Sequence, residues 1–270
     1  MNQVATIEQQ QEINSLLTEL GGSAAADMIK VPFLKIQYED EDKQGREVKR
    51  GTFLVTDQGE TVYATSVKLH VMAQYFQYRQ SDPNTYKLVN KTILQEDFRK
   101  GEPIDMKGSI RCGRPTSKGL SALSDDEQKD WRRKVRATRI LRGVVSYTGK
   151  TADGEEKTLE NVPCQMYLKG MSYNSFDSVI NALPFGKKYQ EVWVNITNKK
   201  EGKAYVPEFA IDFGKPAVLD EDAIETLKLF RDMARQENDF IKGRYSDALI
   251  SRGSEGEVYD AVDGDLEIDF

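Results

Sequence analysis

Six cations fall within eleven residues, Arg132, Arg133, Lys134, Arg136, Arg139 and Arg142. Three more, Arg111, Arg114 and Lys118, lie just upstream in the segment GSIRCGRPTSKG. Clustered Lys and Arg can track a nucleic-acid backbone, because they neutralise phosphates and release the counterions around them. The first four of the six also end the segment 124–136, where cations complement the negative pole of a helix. Arg139 and Arg142 continue beyond that segment, and the helix dipole does not account for them.

Aromatic residues supply the second chemistry. Alternation along a strand separates buried rings from exposed ones. In 189–197, Val192, Val194 and Ile196 share one face, and Tyr189 and Trp193 share the other with Glu191, Asn195 and Thr197. In 161–169, Val162, Cys164, Met166 and Leu168 oppose Tyr167, which falls with Gln165 and Lys169. Phe76 and Tyr78 fall with Gln74 and Gln80. Rings on polar faces can stack on bases, worth roughly 1–3 kcal/mol per base. They can also lie under a helix, a loop or a dimer contact. Phe76, Tyr78, Tyr167 and Trp193 are the stacking candidates. Trp131 and Val135, four residues apart, are expected instead to form the buried stripe of a helix.

The third feature is acidic. From Gly253 to Phe270 there are seven carboxylates (Glu255, Glu257, Asp260, Asp263, Asp265, Glu267 and Asp269) and no Lys or Arg. The whole chain has 44 acids, 38 basic residues and a net charge of −6. Without those seven acids the rest stands at 37 against 38, about +1. The body can therefore carry local positive patches while the tail acts as a separate electrostatic object. Its isolated apolar residues and final Phe270 offer a partner something to grip. The plain alternative is a solubilising appendage.

Catalytic patterns are missing. There is no GxxxxGK[ST], GxSxG, HExxH or CxxC. His70 is the sole histidine and sits in an apolar stretch, as a structural residue would. Cys112 and Cys164 are far apart and are expected to be reduced thiols. No metal ligand set and no cofactor motif stands out. The reading is a binding protein rather than an enzyme.

The ending DGDLEIDF, residues 263–270, resembles the acidic, phenylalanine-terminated tails of bacterial and phage single-stranded DNA-binding proteins. That resemblance implies an OB-fold body with inserted helices that coats single-stranded DNA without sequence preference. It also implies a tail, here Asp260, Asp263, Asp265, Glu267, Asp269 and Phe270, that recruits phage or host replication proteins such as polymerase, helicase or primase. The same tail would compete with DNA for the basic groove. The alternative from another class is a virion or assembly protein whose tail binds a scaffold. A homodimer is left open by either reading.

These residues need elements to position them. Of 270 residues, 39% are hydrophobic and 30% charged, enough for one domain with a large surface. No apolar run approaches twenty residues, and the polar N-terminus lacks a signal core, so a cytoplasmic location is expected. Strands are expected at 31–38, 50–56, 61–69, 71–79, 86–93, 104–112, 137–148, 161–169, 189–197 and 203–212. The turn signals DKQG, TDQG, SDPN, TADG and KKEG separate many of them. Helices are expected at 5–20, at 124–136 with Ser124 and Glu127 as a capping box, at 172–183 and at 220–242. The expected architecture is mainly β with added helices (α+β), an OB-like small barrel with helical insertions. Its parts are an N-terminal helix and linker (1–29), the barrel body (30–214), an amphipathic helix (215–245) and a disordered acidic tail (246–270).

Overall fold

The computed structural model describes residues 28–98 and 103–254. The expected helix at 5–20 and the tail residues 255–270, including Asp260, Asp263, Asp265, Glu267, Asp269 and Phe270, lie outside the described residues. Among the described residues nine strands form one antiparallel sheet: β1 (Lys35–Ile36), β2 (Phe53–Asp57), β3 (Glu60–Ala64), β4 (Ser66–Ser81), β5 (Leu88–Lys91), β6 (Val135–Lys150), β7 (Glu156–Lys169), β8 (Val192–Glu201) and β9 (Ala204–Pro216). The main path runs β1-β2-β3-β6-β4-β8-β9, with β5 on β4 and β7 on β6. Four helices accompany it within these residues: α1 (Ser117–Ser121), α2 (Asp125–Lys134), α3 (Asp177–Ala182) and α4 (Glu221–Ser254). The mainly β character with added helices is as expected. The sheet, however, is open and does not close into a barrel.

Several elements differ from the sequence reading for identifiable reasons. The expected strand 61–69 is split. β3 ends at Ala64, and β4 then runs unbroken through His70 to Ser81. Segment 104–112 is no strand. It makes isolated bridges and then a turn, Arg111–Gly113, with φ of 56°, 56° and 73° at its three residues. Asp105 holds that loop together, its carboxylate accepting the backbone N–H groups of Lys107, Ser109 and Cys112. The segment 31–38 keeps only β1 and a bridge from Phe33 to Gln165.

β6 is the centre of the sheet and is buried on both faces. Leu141, Val145 and Tyr147 point into the main core with Phe53, Leu69 and Leu168. Ile140 and Val144 point to the opposite face, which α4 covers with Phe230, Met233 and Ala234. Gly143 lets β4 approach closely beside the register shift at Val71 and Ala73. A Cβ there would lie 2.1 Å from the His70 carbonyl oxygen.

α4 starts where Asp220 accepts the N–H of Ala223, satisfying one of the unpaired donors of the first turn. Ala223, Phe230, Met233, Ala234 and Ile241 are its buried stripe. The helix passes the expected end near 242 and continues through Gly243 to Ser254. Glycine inside a helix costs about 1 kcal/mol relative to alanine. Contacts beyond it offset that cost. Arg252 donates to the carbonyls of Lys107 and Gly108, and the helix runs so near Gly108 that a Cβ there would meet Ala248 and Leu249. Residues 246–254, expected to belong to a disordered tail, are therefore helical.

Candidate nucleic-acid interface

The basic run begins in α2. Ser124 and Glu127 form the capping box, and Asp125, Asp126 and Glu127 occupy the first turn. Arg132, Arg133 and Lys134 occupy the last turn and are exposed. Arg133 and Lys134 both reach Asp130, and Arg132 donates to Gln128. Val135 ends the helix and starts β6 without a connecting loop. Trp131 is half-buried against Gly113, whereas Val135 is wholly buried.

Alternation along β6 then separates its three arginines. Arg136 remains exposed. Arg139 projects to the opposite face, is 7% exposed, and bonds Asp177 at 2.6 Å and the Tyr173 carbonyl at 3.4 Å. Its guanidinium also lies over the rings of Phe76, Tyr173 and Phe176. Arg142 is 1% exposed beneath α4. It meets Glu237 at 3.0 Å and the Phe230 carbonyl at 3.3 Å, and lies over Tyr75. A charge taken out of water requires such partners. Arg139 and Arg142 are thus paired inside the fold, and their guanidinium groups are not offered to solvent as the sequence suggested.

The aromatic candidates divide in the same way. Trp193 does lie on the face opposite its core neighbours Val194 and Ile196, but α4 covers that face. The ring is 8% exposed and packs in the cluster of Met72, Val144, Phe230 and Met233, with His70 5.3 Å away. It is a core residue, not an exposed stacking platform. Burial lowers the His70 pKa, while hydrogen bonding to the Gln190 carbonyl opposes that shift. Tyr167 is half-buried and contacts Phe33 edge-on at 5.1 Å, with Arg79 4.8 Å from its ring. Phe76 and Tyr78 are half-buried in a second cluster. Tyr78 stacks on Phe98 at 4.5 Å, Phe76 lies 5.3 Å from Phe98 and 6.3 Å from Tyr173, and Arg114 covers Tyr78.

A cleft of about 1050 Å³ brings the rest together. It is lined by the end of β7, Met166 to Lys169, running on into Gly170–Ser172 and Tyr173, together with Phe33 to Ile36, Tyr38 and the start of β9 from Ala204 to Pro207. α2 contributes Lys129, Arg132 and Arg133. Seven cations line the cleft: Lys35, Arg114, Lys129, Arg132, Arg133, Arg136 and Lys169. Five rings join them: Phe33, Tyr38, Tyr167, Tyr173 and Tyr205. No Asp or Glu is among the lining residues. Burial depresses the Arg114 pKa, Tyr78 partly opposing it, and pushes the Tyr173 hydroxyl up to about 12. The cleft thus joins fixed positive charge to rings, the pairing that suits phosphates and bases.

Of the predicted site residues, Arg114, Arg132, Arg133, Arg136 and Tyr167 line this cleft. Phe76 and Tyr78 adjoin it through Tyr173 and Arg114. Arg111, Lys118 and Lys134 do not line it. Sequence reasoning missed Phe33, Lys35, Tyr38, Lys129, Tyr173 and Tyr205. Lys169 had a visible signal, since it shares the polar face of β7 with Tyr167. Tyr38 and Tyr205 had none, because only the tertiary fold brings them within 6.3 Å, with the Tyr38 hydroxyl donating to the Tyr205 carbonyl.

No protein-family model matches the chain, and no curated protein or solved structure matches it.

Proposed function

We propose that this chain binds single-stranded nucleic acid without sequence preference, as a binding protein rather than an enzyme. The observation that carries the reading is the cleft: seven cations and five rings with no carboxylate on its walls. Its volume lies at the upper end of small-molecule pockets, which suits a segment of an extended polymer. Cations would hold the phosphates, and Phe33, Tyr38 or Tyr205 would meet the bases. In this reading the protein serves phage DNA replication in the host cytoplasm, and the acidic tail recruits replication proteins.

An OB-like body belongs to the same proposal. Tyr38 bonds Tyr205, and Asn198 donates to the Gly51 carbonyl at 2.7 Å. These contacts bring the β8–β9 hairpin to the β1–β2 end of the sheet and support a curled, barrel-like shape, although backbone pairing leaves the sheet open.

The test is fluorescence anisotropy of labelled oligo-dT across salt concentrations. The affinity is expected to fall linearly on a log–log plot, with a slope of about −0.7 per phosphate contacted. Equal affinity for oligo-dT and oligo-dA is expected. An absence of binding at low salt would overturn the reading.

A further inference from the structure

The two arginines at the cleft end of the sheet are arranged at an electrostatic cost. Arg79 on β4 and Arg136 on β6 are directly opposed in register, so both project from the same face. Lys169 on β7 is opposed to Thr138, two residues along β6, and joins that face on the other side. Like charges held directly across a strand pair destabilise the sheet. Elsewhere in the molecule such a cost is relieved: Arg139 has Asp177, Arg142 and Lys91 share Glu237, and Arg133 and Lys134 share Asp130. Among the described residues, Arg79, Arg136 and Lys169 have no ion pair. Arg79 donates to Gln77 and lies over Tyr167. Arg136 and Lys169 are exposed on the cleft wall.

We propose that Arg136 and Lys169 on the cleft wall, with Arg79 beside them on the same sheet face, form a phosphate anchor where a backbone phosphate of the bound strand meets cations from three adjacent strands. This rests on the nucleic-acid reading above and assigns the phosphate position within it. The cations of α2 differ in kind. Arg133 already has a carboxylate, and Lys129 pairs with Asp126. An anion held among Arg79, Arg136 and Lys169 relieves the repulsion between them. Although the Lys169 side chain reaches solvent, partial burial of its ammonium lowers its pKa first, and the nearby Arg136 and Arg79 lower it further. Phe33, 37% exposed and edge-on to Tyr167, flanks the anchor and offers a face for the base of the same nucleotide.

The experiment compares wild type with R136Q, K169Q, the double variant R136Q/K169Q, and R133Q as a control. Arg79 is left intact because it packs on Tyr167. Two quantities are read, oligo-dT affinity against salt and the melting temperature of the DNA-free protein. The double variant is expected to lose about tenfold in affinity and about 0.7 of the salt slope, the share of one phosphate on a single strand, and each single change to lose less of both. R133Q is expected to change both less. The DNA-free melting temperature of R136Q and K169Q is expected to rise, because each removes one of the repelling charges. A double variant that binds oligo-dT as wild type does, with the same slope, overturns the anchor and leaves the nucleic-acid reading standing. A fall in the DNA-free melting temperature also overturns it, since the cations would then be structural. If wild type fails to bind oligo-dT at all, the nucleic-acid reading falls, and sodium tripolyphosphate at constant ionic strength decides the anchor. A rise in melting temperature that the double variant lacks supports a polyanion site there, and no rise overturns it.

Discussion

Arg136 and Arg142 lie on the same strand, six residues apart, and project from the same face. One is exposed on the wall of a cleft and has no carboxylate partner among the described residues. The other lies under α4, paired with Glu237, which also receives Lys91 at 2.7 Å and Gln77 at 3.1 Å. The difference between them is where the helix lies. α4 crosses the middle of β6 and brings one carboxylate into the sheet's second face, so Arg142 becomes part of the interior. Arg136, near the start of β6, is left exposed, while its neighbours Val135 and Thr138 are buried. An arginine in a basic run thus stays exposed or joins the core according to which element packs on it.

The largest expected effect breaks this comparison at its buried end. Arg142→Ala strands Glu237 without one of its cations and should cost about 3–5 kcal/mol of stability. Urea denaturation at neutral pH measures it, and oligo-dT affinity at low temperature should be unchanged. An affinity loss in folded Arg142→Ala would place Arg142 in the binding surface after all.

Trp193→Ala should behave in the same way. A wholly packed Trp replaced by Ala costs about 3–5 kcal/mol, with DNA affinity retained. Affinity lost at intact stability would return Trp193 to the stacking role.

The pH dependence of stability sharpens the same pair. Burial works against the charge of Glu237, but Lys91 and Arg142 outweigh it and hold its pKa below the ordinary Glu value. A carboxylate lowered on folding contributes stability above its unfolded pKa, and loses it as pH falls through the folded value. The contribution is therefore full at pH 7 and declines below about pH 4.3. Glu237→Gln should be less stable than wild type at pH 7, with the difference shrinking in acid. A constant difference across that range would show that Glu237 acts through packing alone.

At the exposed end, Phe33→Ala or Tyr205→Ala should cost about 1–3 kcal/mol of oligo-dT affinity. Circular dichroism should show an unchanged fold. If both bind as wild type does, the cleft holds the strand by charge alone.

The smallest effect concerns the helix that carries Arg132 and Arg133. Ser124→Ala removes the cap of α2 and should cost about 1 kcal/mol, read as a small drop in denaturation midpoint. Its effect on DNA binding should be slight, since the arginines remain at the other end of the helix.

Much of this was legible in the residue order. Ser124 and Glu127 announced α2, because a capping box is a local device. TDQG announced the β2–β3 hairpin, where Gln58 and Gly59 both take positive φ. The apolar spacing of 220–242 announced the amphipathic face of α4, and the alternation in β8 correctly separated Trp193 from Val194 and Ile196. Each of these depends on residues a few positions apart. The sequence could not say what would lie on the polar-looking face of β8 or on Arg142. The covering helix comes from 88 to 95 residues further along for Arg142. Nor could it assemble the cleft, whose walls join Tyr38 to Tyr205 across 167 residues. Local pattern determined which face each side chain takes, since the strand period is two. Tertiary packing alone decided which faces are covered, because burial depends on what arrives from elsewhere in the chain.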